Sequence, residues 1–300
     1  MHKVNKPLQK QLDLNERKNL LHAGVAQLLE VEPTFLAALE ELLSSPTDAM
    51  PANTLEAVCA KAADSFIAKI HSLNQYIQID RYAKDRLKAI YKESWQKLVE
   101  TKEVESTLRT HHYPRIKSFI ESLYPNSLAG QLQSAPQLGR VCRSQYSADL
   151  QTRLLRLDLG KLRTPILDIG CGQDANLVHF LRSKDLEAYG IDRSVKVPTD
   201  FLSMTDWFEY EYGRNKWGTI VSNLAISNHL KYAQVYDAGR IPAYLKTFQD
   251  IINSLALDGT LTIAPAVDLM KKLADRRSYA TEEWEMSSVA KVLRITRIAL

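Results

Sequence analysis

Three hundred residues make about two domains, and a composition 45% hydrophobic and 25% charged excludes disordered and fibrous classes. The net charge of +4 is spread evenly, 19 Lys+Arg against 17 Asp+Glu in residues 1–150 and 20 against 18 in residues 151–300, so neither half carries a strongly basic field. No apolar run spans a bilayer, no secretory signal opens the chain, and Cys59, Cys142 and Cys171 lack metal-ligand spacing; the expectation is a cytoplasmic protein with reduced thiols, no metal and no membrane partner.

In chain order, the first ~125 residues predict helices: Leu28, Leu29, Phe35, Leu36, Leu39 and Leu42 recur at three- and four-residue spacing. Pro46 and Pro51 bracket a turn, and Asn53-Thr54 is the expected cap of the next helix. A long amphipathic helix is predicted over 80–105, with Tyr82, Leu87, Ile90, Tyr91, Trp95 and Leu98 on one side, and another over 115–123. Segment 81–117 holds ten basic against five acidic residues, plus His111 and His112; it reads as a solvated helix face, with a local basic surface as the alternative. The run from His111 to Arg115 reads as a helix–helix junction, since two adjacent His are too few to hold a metal. The Ser-, Gly-, Gln- and Pro-rich stretch 127–139 is the predicted hinge between an all-helical N-terminal domain, 1–135, and a second domain, 136–300.

After Ser147 short apolar strands alternate with helices, which predicts an α/β domain with a parallel sheet. Strands are expected over 165–169, 188–191, 218–223 and 260–264, and helices over 147–158, 174–183 and 242–257. Segment 290–300 alternates like a strand with no helix after it, so it is expected to enter the sheet antiparallel.

The chemistry concentrates where the first strand ends, in Asp168-Ile169-Gly170-Cys171-Gly172. Gly170 lets the chain turn where a Cβ would clash, and Gly172 lets the backbone approach a ligand. The following helix, opening at about Asp174 as its N-cap, offers free N–H groups. A Gly-x-Gly pair also fits a dinucleotide loop, here through Ala175. Asp168 separates the two: a carboxylate at the strand end repels a pyrophosphate and favours a ligand that carries an ammonium and a sulfonium.

On these residues the segment 140–300 resembles the class I (Rossmann-like) S-adenosylmethionine-dependent methyltransferases. The resemblance implies a seven-stranded Rossmann-like sheet with a C-terminal antiparallel strand, and S-adenosyl-L-methionine as cofactor. It implies that Asp192, 20 residues past Gly172 and followed by Arg193, accepts hydrogen bonds from the ribose hydroxyls. Asp206-Trp207 is similar to the adenine-binding loop after the third strand, with Asp200 as the rival contact; the 13 residues between Asp192 and Asp206 leave little room for a crossover helix. Trp217–Asn223 resembles the fourth strand, whose tip, Asn223, faces the methyl-transfer site, and Asp258-Gly259 the turn into the fifth. Gln145-Tyr146-Ser147 lies where family members cover the methionine end, and Cys171 is a small filler inside the loop. The chain departs from the family at Asp174, in place of a third glycine, and at Asn223, which lacks the Pro and aromatic residues of many base-methylating enzymes.

His229, just past the fourth strand, is the candidate catalytic base; the alternative is that it packs under the cofactor or orders the loop. The expected function is methyl transfer to an oxygen or nitrogen of a small or medium-sized acceptor, with the helical domain as lid and acceptor selector. Two alternatives stay open: a ribosomal RNA methyltransferase and a cofactor-binding module without catalysis. The sequence carries no signal of oligomeric state.

Overall fold

The structure, a computed structural model, describes residues 6–8, 10, 11, 13, 14, 31–44, 51–123, 146–287 and 290–299. The expected hinge at 127–139, the boundary at 135/136, Leu28, Leu29, Pro46, Cys142 and Gln145 lie outside them. Packing divides the chain into two units, Met1–Arg143 and Ser144–Leu300. Among the described residues no helix is long and apolar enough to cross a membrane.

The first unit contains α1 (Pro33–Ser44), α2 (Ala52–Leu73), α3 (Arg81–Thr101), α4 (Val104–Thr107), a π-helical turn (Leu108–His112) and α5 (Tyr113–Ser122). Helix α2 buries Cys59, Ala62, Ala63, Phe66 and Ile70, a stripe at three- and four-residue spacing. It begins after Pro51 with no side-chain cap, so the expected capping by Asn53-Thr54 does not occur. Helix α3 is capped by Asp80, whose Oδ1 accepts from the Ala83 N–H at 2.8 Å. It stops at Thr101 rather than 105 because Lys102 turns left-handed (φ 60°) while its N–H closes the last turn on the Leu98 carbonyl. The expected junction at His111–Arg115 is instead continuous helix: the π turn runs straight into α5, whose second residue is Pro114. Six of the ten basic side chains of segment 81–117 form ion pairs, Lys84, Lys88, Lys97, Arg109, Arg115 and Lys117 with Asp64, Asp85, Glu100, Glu105, Glu93 and Glu121.

The second unit is α6 (Ala148–Leu154), β1 (Ile166–Ile169), α7 (Asn176–Arg182), β2 (Ala188–Ile191), β3 (Leu202–Ser203), β4 (Trp217–Asn223), α8 (Ile226–Tyr236), α9 (Ile241–Asn253), β5 (Leu255–Ala264), α10 (Asp268–Leu273), β6 (Tyr279–Ser287) and β7 (Ala290–Arg297). They build one seven-stranded sheet in the order β3-β2-β1-β4-β5-β7-β6. Strands β1 to β5 are parallel, and β7 enters antiparallel to β5, as the resemblance implies. Side chains alternate across the sheet. Leu167, Ile169, Ile220 and Ile263 meet Leu230 of α8 and Phe248 and Ile252 of α9 on one face. Ile166, Val221 and Ala188 meet Val178 and Leu181 of α7 on the other. Each fully buried Leu, Ile or Phe here contributes roughly 1.5–3 kcal/mol.

Several boundaries differ from the sequence reading for local reasons. Ser147 caps α6 through its Oγ and the Leu150 N–H, and α6 and α9 end earlier than expected, at Leu154 and Asn253. Helix α7 starts after Ala175, which is left-handed (φ 45°); the expected cap, Asp174, instead pairs with Lys196 Nζ at 2.7 Å. No helix lies between β2 and β3, and β3 has only two residues. Asp258-Gly259 lies in an irregularity inside β5, where Asp258 is left-handed (φ 59°) and pairing skips from Trp217–Leu255 to Thr219–Thr260.

Candidate active site at the carboxyl edge of the sheet

Parallel strands deliver their last residues to one edge, and the predicted site residues of the second unit gather there. Asp168 is the penultimate residue of β1 and is 2% exposed. It pairs in register with Gly190 of β2 and Val221 of β4, and its side chain lies on the α7 face. Its Oδ2 is buried and has no hydrogen-bond partner among the described residues. Burial, reinforced by the charge of Asp192, pushes its carboxyl up to about 8.

The glycine loop follows. Gly170 and Gly172 both take φ of 78°. A Cβ built on Gly170 would stand 2.3 Å from the Ala225 Cβ, so only glycine lets the loop pass beneath the segment that leaves β4. The N–H groups of Gly170 and Cys171 both reach the Ile191 carbonyl, at 2.8 and 3.2 Å, which fastens the loop to β2. Cys171 is buried with its thiol aimed at Gly190, where an added Cβ would meet Sγ at 2.9 Å. Burial, then the charges of Asp168 and Asp192, raise that thiol, so it stays protonated packing material.

Asp192 closes the loop from β2. Its Oδ2 accepts from the Gly172 N–H at 3.0 Å, and its Oδ1 accepts from the Ser194 N–H at 2.8 Å and from the Ser194 hydroxyl. A carboxylate has about four lone-pair positions, so accepting capacity remains. Ser194 was not singled out in the sequence, although Asp-x-Ser is the signature of such a turn. Arg193 is largely buried, and its Nη1 stands 3.9 Å from Asp206 Oδ2, at the outer limit of an ion pair. Asp206 also caps its own turn, its Oδ1 accepting from Phe208 N–H at 3.0 Å. Burial raises the Asp206 carboxyl despite the neighbouring Arg193. Asp200, the rival adenine contact, is exposed ahead of β3.

Trp207 is 7% exposed and joins the core below the edge. Its Nε1 is buried without a partner among the described residues. Asn223, at the tip of β4, is 8% exposed with both amide atoms likewise unpartnered. His229 lies in α8, 4% exposed, its ring edge-on to Trp207 at 4.6 Å. Tyr146 is half-buried; its carbonyl accepts from Asn176 Nδ2 of α7 at 3.1 Å, which holds this segment beside the helix that follows the loop. Ser222 and Ser227 tie the rim together by donating to the Ile169 and Ala264 carbonyls at 3.0 and 2.8 Å.

A buried polar atom without a partner is costly, and such atoms are rare in folded proteins. Three of them, Asp168 Oδ2 and the two amide atoms of Asn223, lie at this sheet edge, with Trp207 Nε1 below it.

No protein-family model matches the chain, and no curated protein matches it. Among solved structures it is similar to the N-methyltransferase NodS from Bradyrhizobium japonicum, at 16% identity, covering 50% of this chain and 96% of that one with a TM-score of 0.37. It is similar to an S-adenosylmethionine-dependent methyltransferase from Bacteroides fragilis in complex with S-adenosyl-L-homocysteine, at 14% identity, 49% and 77% coverage and a TM-score of 0.37. A third is a TehB-like S-adenosylmethionine-dependent methyltransferase from Corynebacterium glutamicum, at 15% identity, 57% and 96% coverage and a TM-score of 0.35.

Proposed function

We propose that the second unit binds S-adenosyl-L-methionine and transfers its methyl group to an oxygen or nitrogen of a small or medium-sized acceptor. The observation that carries this reading is the unpartnered, buried Oδ2 of Asp168 beside the two left-handed glycines. Asp168 would hold the ammonium and ionise as it does so. Asp192 would take the ribose hydroxyls on its remaining lone pairs, already oriented by Gly172 and Ser194. Asp206 and Trp207 would flank the adenine, and Asn223 and Tyr146 would border the methionine end. When bound, the cofactor supplies an electrophilic methyl carbon on a sulfonium. The rigid rim supplies alignment, the main requirement of an in-line displacement.

His229 is assigned a positioning role in this reading. Its ring packs edge-on against Trp207, which supports a role in fixing the indole. A small acceptor is preferred to a polymer because the basic segment 81–117 is largely neutralised by its own acidic partners.

Titration calorimetry of the full chain with S-adenosylhomocysteine tests the proposal. Wild type is expected to bind, releasing up to about one proton at pH 7 as Asp168 ionises, seen by repeating the titration in buffers of different ionisation enthalpy. Asp192→Ala is expected to weaken binding about 30-fold or more through loss of charge-assisted hydrogen bonds. No binding by wild type, or equal binding by Asp192→Ala, overturns it.

A further inference from the structure

The helical unit carries a partly open cavity of about 400 Å³ lined by α1, α2, α3, the π turn and Leu8. That is more than ten times the ~30 Å³ share of one water, and within the ~300–1,000 Å³ range of small-molecule sites. Its wall is chiefly aliphatic and aromatic, with Trp95, Leu98 and Leu108 among the lining residues, and such a wall gives water few partners. Its polar lining includes Thr54, Cys59, Tyr91, Ser94 and His112, together with the exposed Lys61.

Hydrogen bonding fixes what His112 presents. Ser94 Oγ stands 2.7 Å from the Ile90 carbonyl and 2.9 Å from His112 Nδ1. The hydroxyl has one proton, and the carbonyl can only accept, so that proton goes to Ile90. His112 Nδ1 therefore carries the imidazole hydrogen and donates to Ser94, leaving Nε2 a bare acceptor. Nε2 takes part in no hydrogen bond among the described residues. Burial holds the ring well below its ordinary range, at about 4, with His111 and Arg115 acting in the same direction. Burial likewise raises the Tyr91 phenol and the Cys59 thiol, so these three groups stay uncharged at neutral pH. The wide turn that carries His112 is a second, independent feature. A π turn inserts one residue into a helix and re-aims its side chains, and such turns concentrate at functional sites.

The geometry points to a small-molecule site inside the helical unit, which takes an uncharged, largely apolar compound bearing one hydroxyl or N–H group that donates to His112. It stands independently of the function proposed for the sheet unit.

The test is titration of the full chain with 1-naphthol, followed by calorimetry and by the indole N–H resonance of Trp95, the only tryptophan in the first unit. One-to-one binding is expected, with a dissociation constant on the order of 10–100 µM for a ligand of this size. His112→Phe should weaken 1-naphthol about fivefold while leaving 1-methylnaphthalene, which has no donor, unchanged. Ala62→Phe, which fills the cavity, should abolish binding of both, and Val58→Phe serves if that variant does not fold. S-adenosylhomocysteine titration of the same variants separates this site from the other. Absence of saturable naphthol binding, its persistence in a folded cavity-filling variant, or equal loss of both probes in His112→Phe overturns the proposal.

Discussion

The two units bury ionisable groups beside a concave surface, but with opposite chemistry. In the helical unit the buried group is a base, His112, held neutral among apolar walls by burial, with His111 and Arg115 acting in the same direction. In the sheet unit it is an acid, Asp168, pushed toward its protonated form beside a second carboxylate. The backbone explains the difference. Helices satisfy their own N–H groups, so a cavity among them offers little beyond side chains. The carboxyl edge of a parallel sheet leaves loop N–H groups free, and here those of Gly172 and Ser194 donate to the Asp192 side chain while Asp168 Oδ2 has no partner among the described residues. On the two proposals above, each unit would select a ligand by what its own fold leaves unsatisfied: an uncharged donor in one, a cation in the other.

The largest expected effect breaks this comparison along pH. His112 has a folded value near 4 against 6.5 unfolded, so the unfolded chain takes up more protons between these values. Its contribution is complete above 6.5 and is lost as the pH falls to 4, roughly 3 kcal/mol in all. Asp168 has a folded value near 8 against 3.8, so here the folded state holds the extra proton. Its contribution is complete below 3.8 and is lost as the pH rises to 8, by several kcal/mol at most. In thermal melts from pH 4 to 8, the gain in Tm of His112→Phe over wild type should grow toward acid, and that of Asp168→Asn toward pH 8. Differences that do not vary with pH, or that run the other way, would remove the charge logic from both units.

A smaller effect sharpens the role of His229. If its ring only fixes Trp207, His229→Phe should weaken S-adenosylhomocysteine about threefold or less and leave the pH profile of kcat unmoved, as an aromatic edge contact contributes roughly 0.5–1.5 kcal/mol. His229→Ala should cost more in affinity with the same profile. Loss of the acid limb of the profile in His229→Phe would restore this residue as the base.

The sequence disclosed what is local. Asp168, Gly170, Gly172 and Asp192 are legible because each acts within a few residues of a strand end, where turn geometry restricts residue type. Strand β6 was missed: Thr-Glu-Glu-Trp-Glu shows little apolar alternation, and its pairing with β7 is what makes it a strand. Helix α8 was missed because its cap position is Ala225, with no side-chain signal. The left-handed Ala175 moved the start of α7 for a reason no residue-type preference announces. Least legible was the helical cavity. It depends on side chains from separate helices and on one inserted residue at Leu108–His112, which the three- and four-residue spacing conceals.

The smallest prediction compares the units at a feature they share. Lys102 ends α3 and Asp185 follows α7, and both are exposed and left-handed, at φ 60° and 59°. Both use that conformation to close the last turn: the Lys102 N–H donates to the Leu98 carbonyl at 2.9 Å, and the Leu186 N–H to Leu181 at 3.2 Å. A lysine carries the full Cβ penalty there, whereas aspartate tolerates the left-handed region better. Glycine removes the penalty but adds entropy to the unfolded chain. Lys102→Gly should therefore stabilise by about 1 kcal/mol and Asp185→Gly by about half that or less, read as Tm shifts at pH 7. A loss of stability in Lys102→Gly would mean that its long contact to the Leu43 carbonyl, at 3.5 Å, outweighs the backbone, against the weakness of a hydrogen bond at that length.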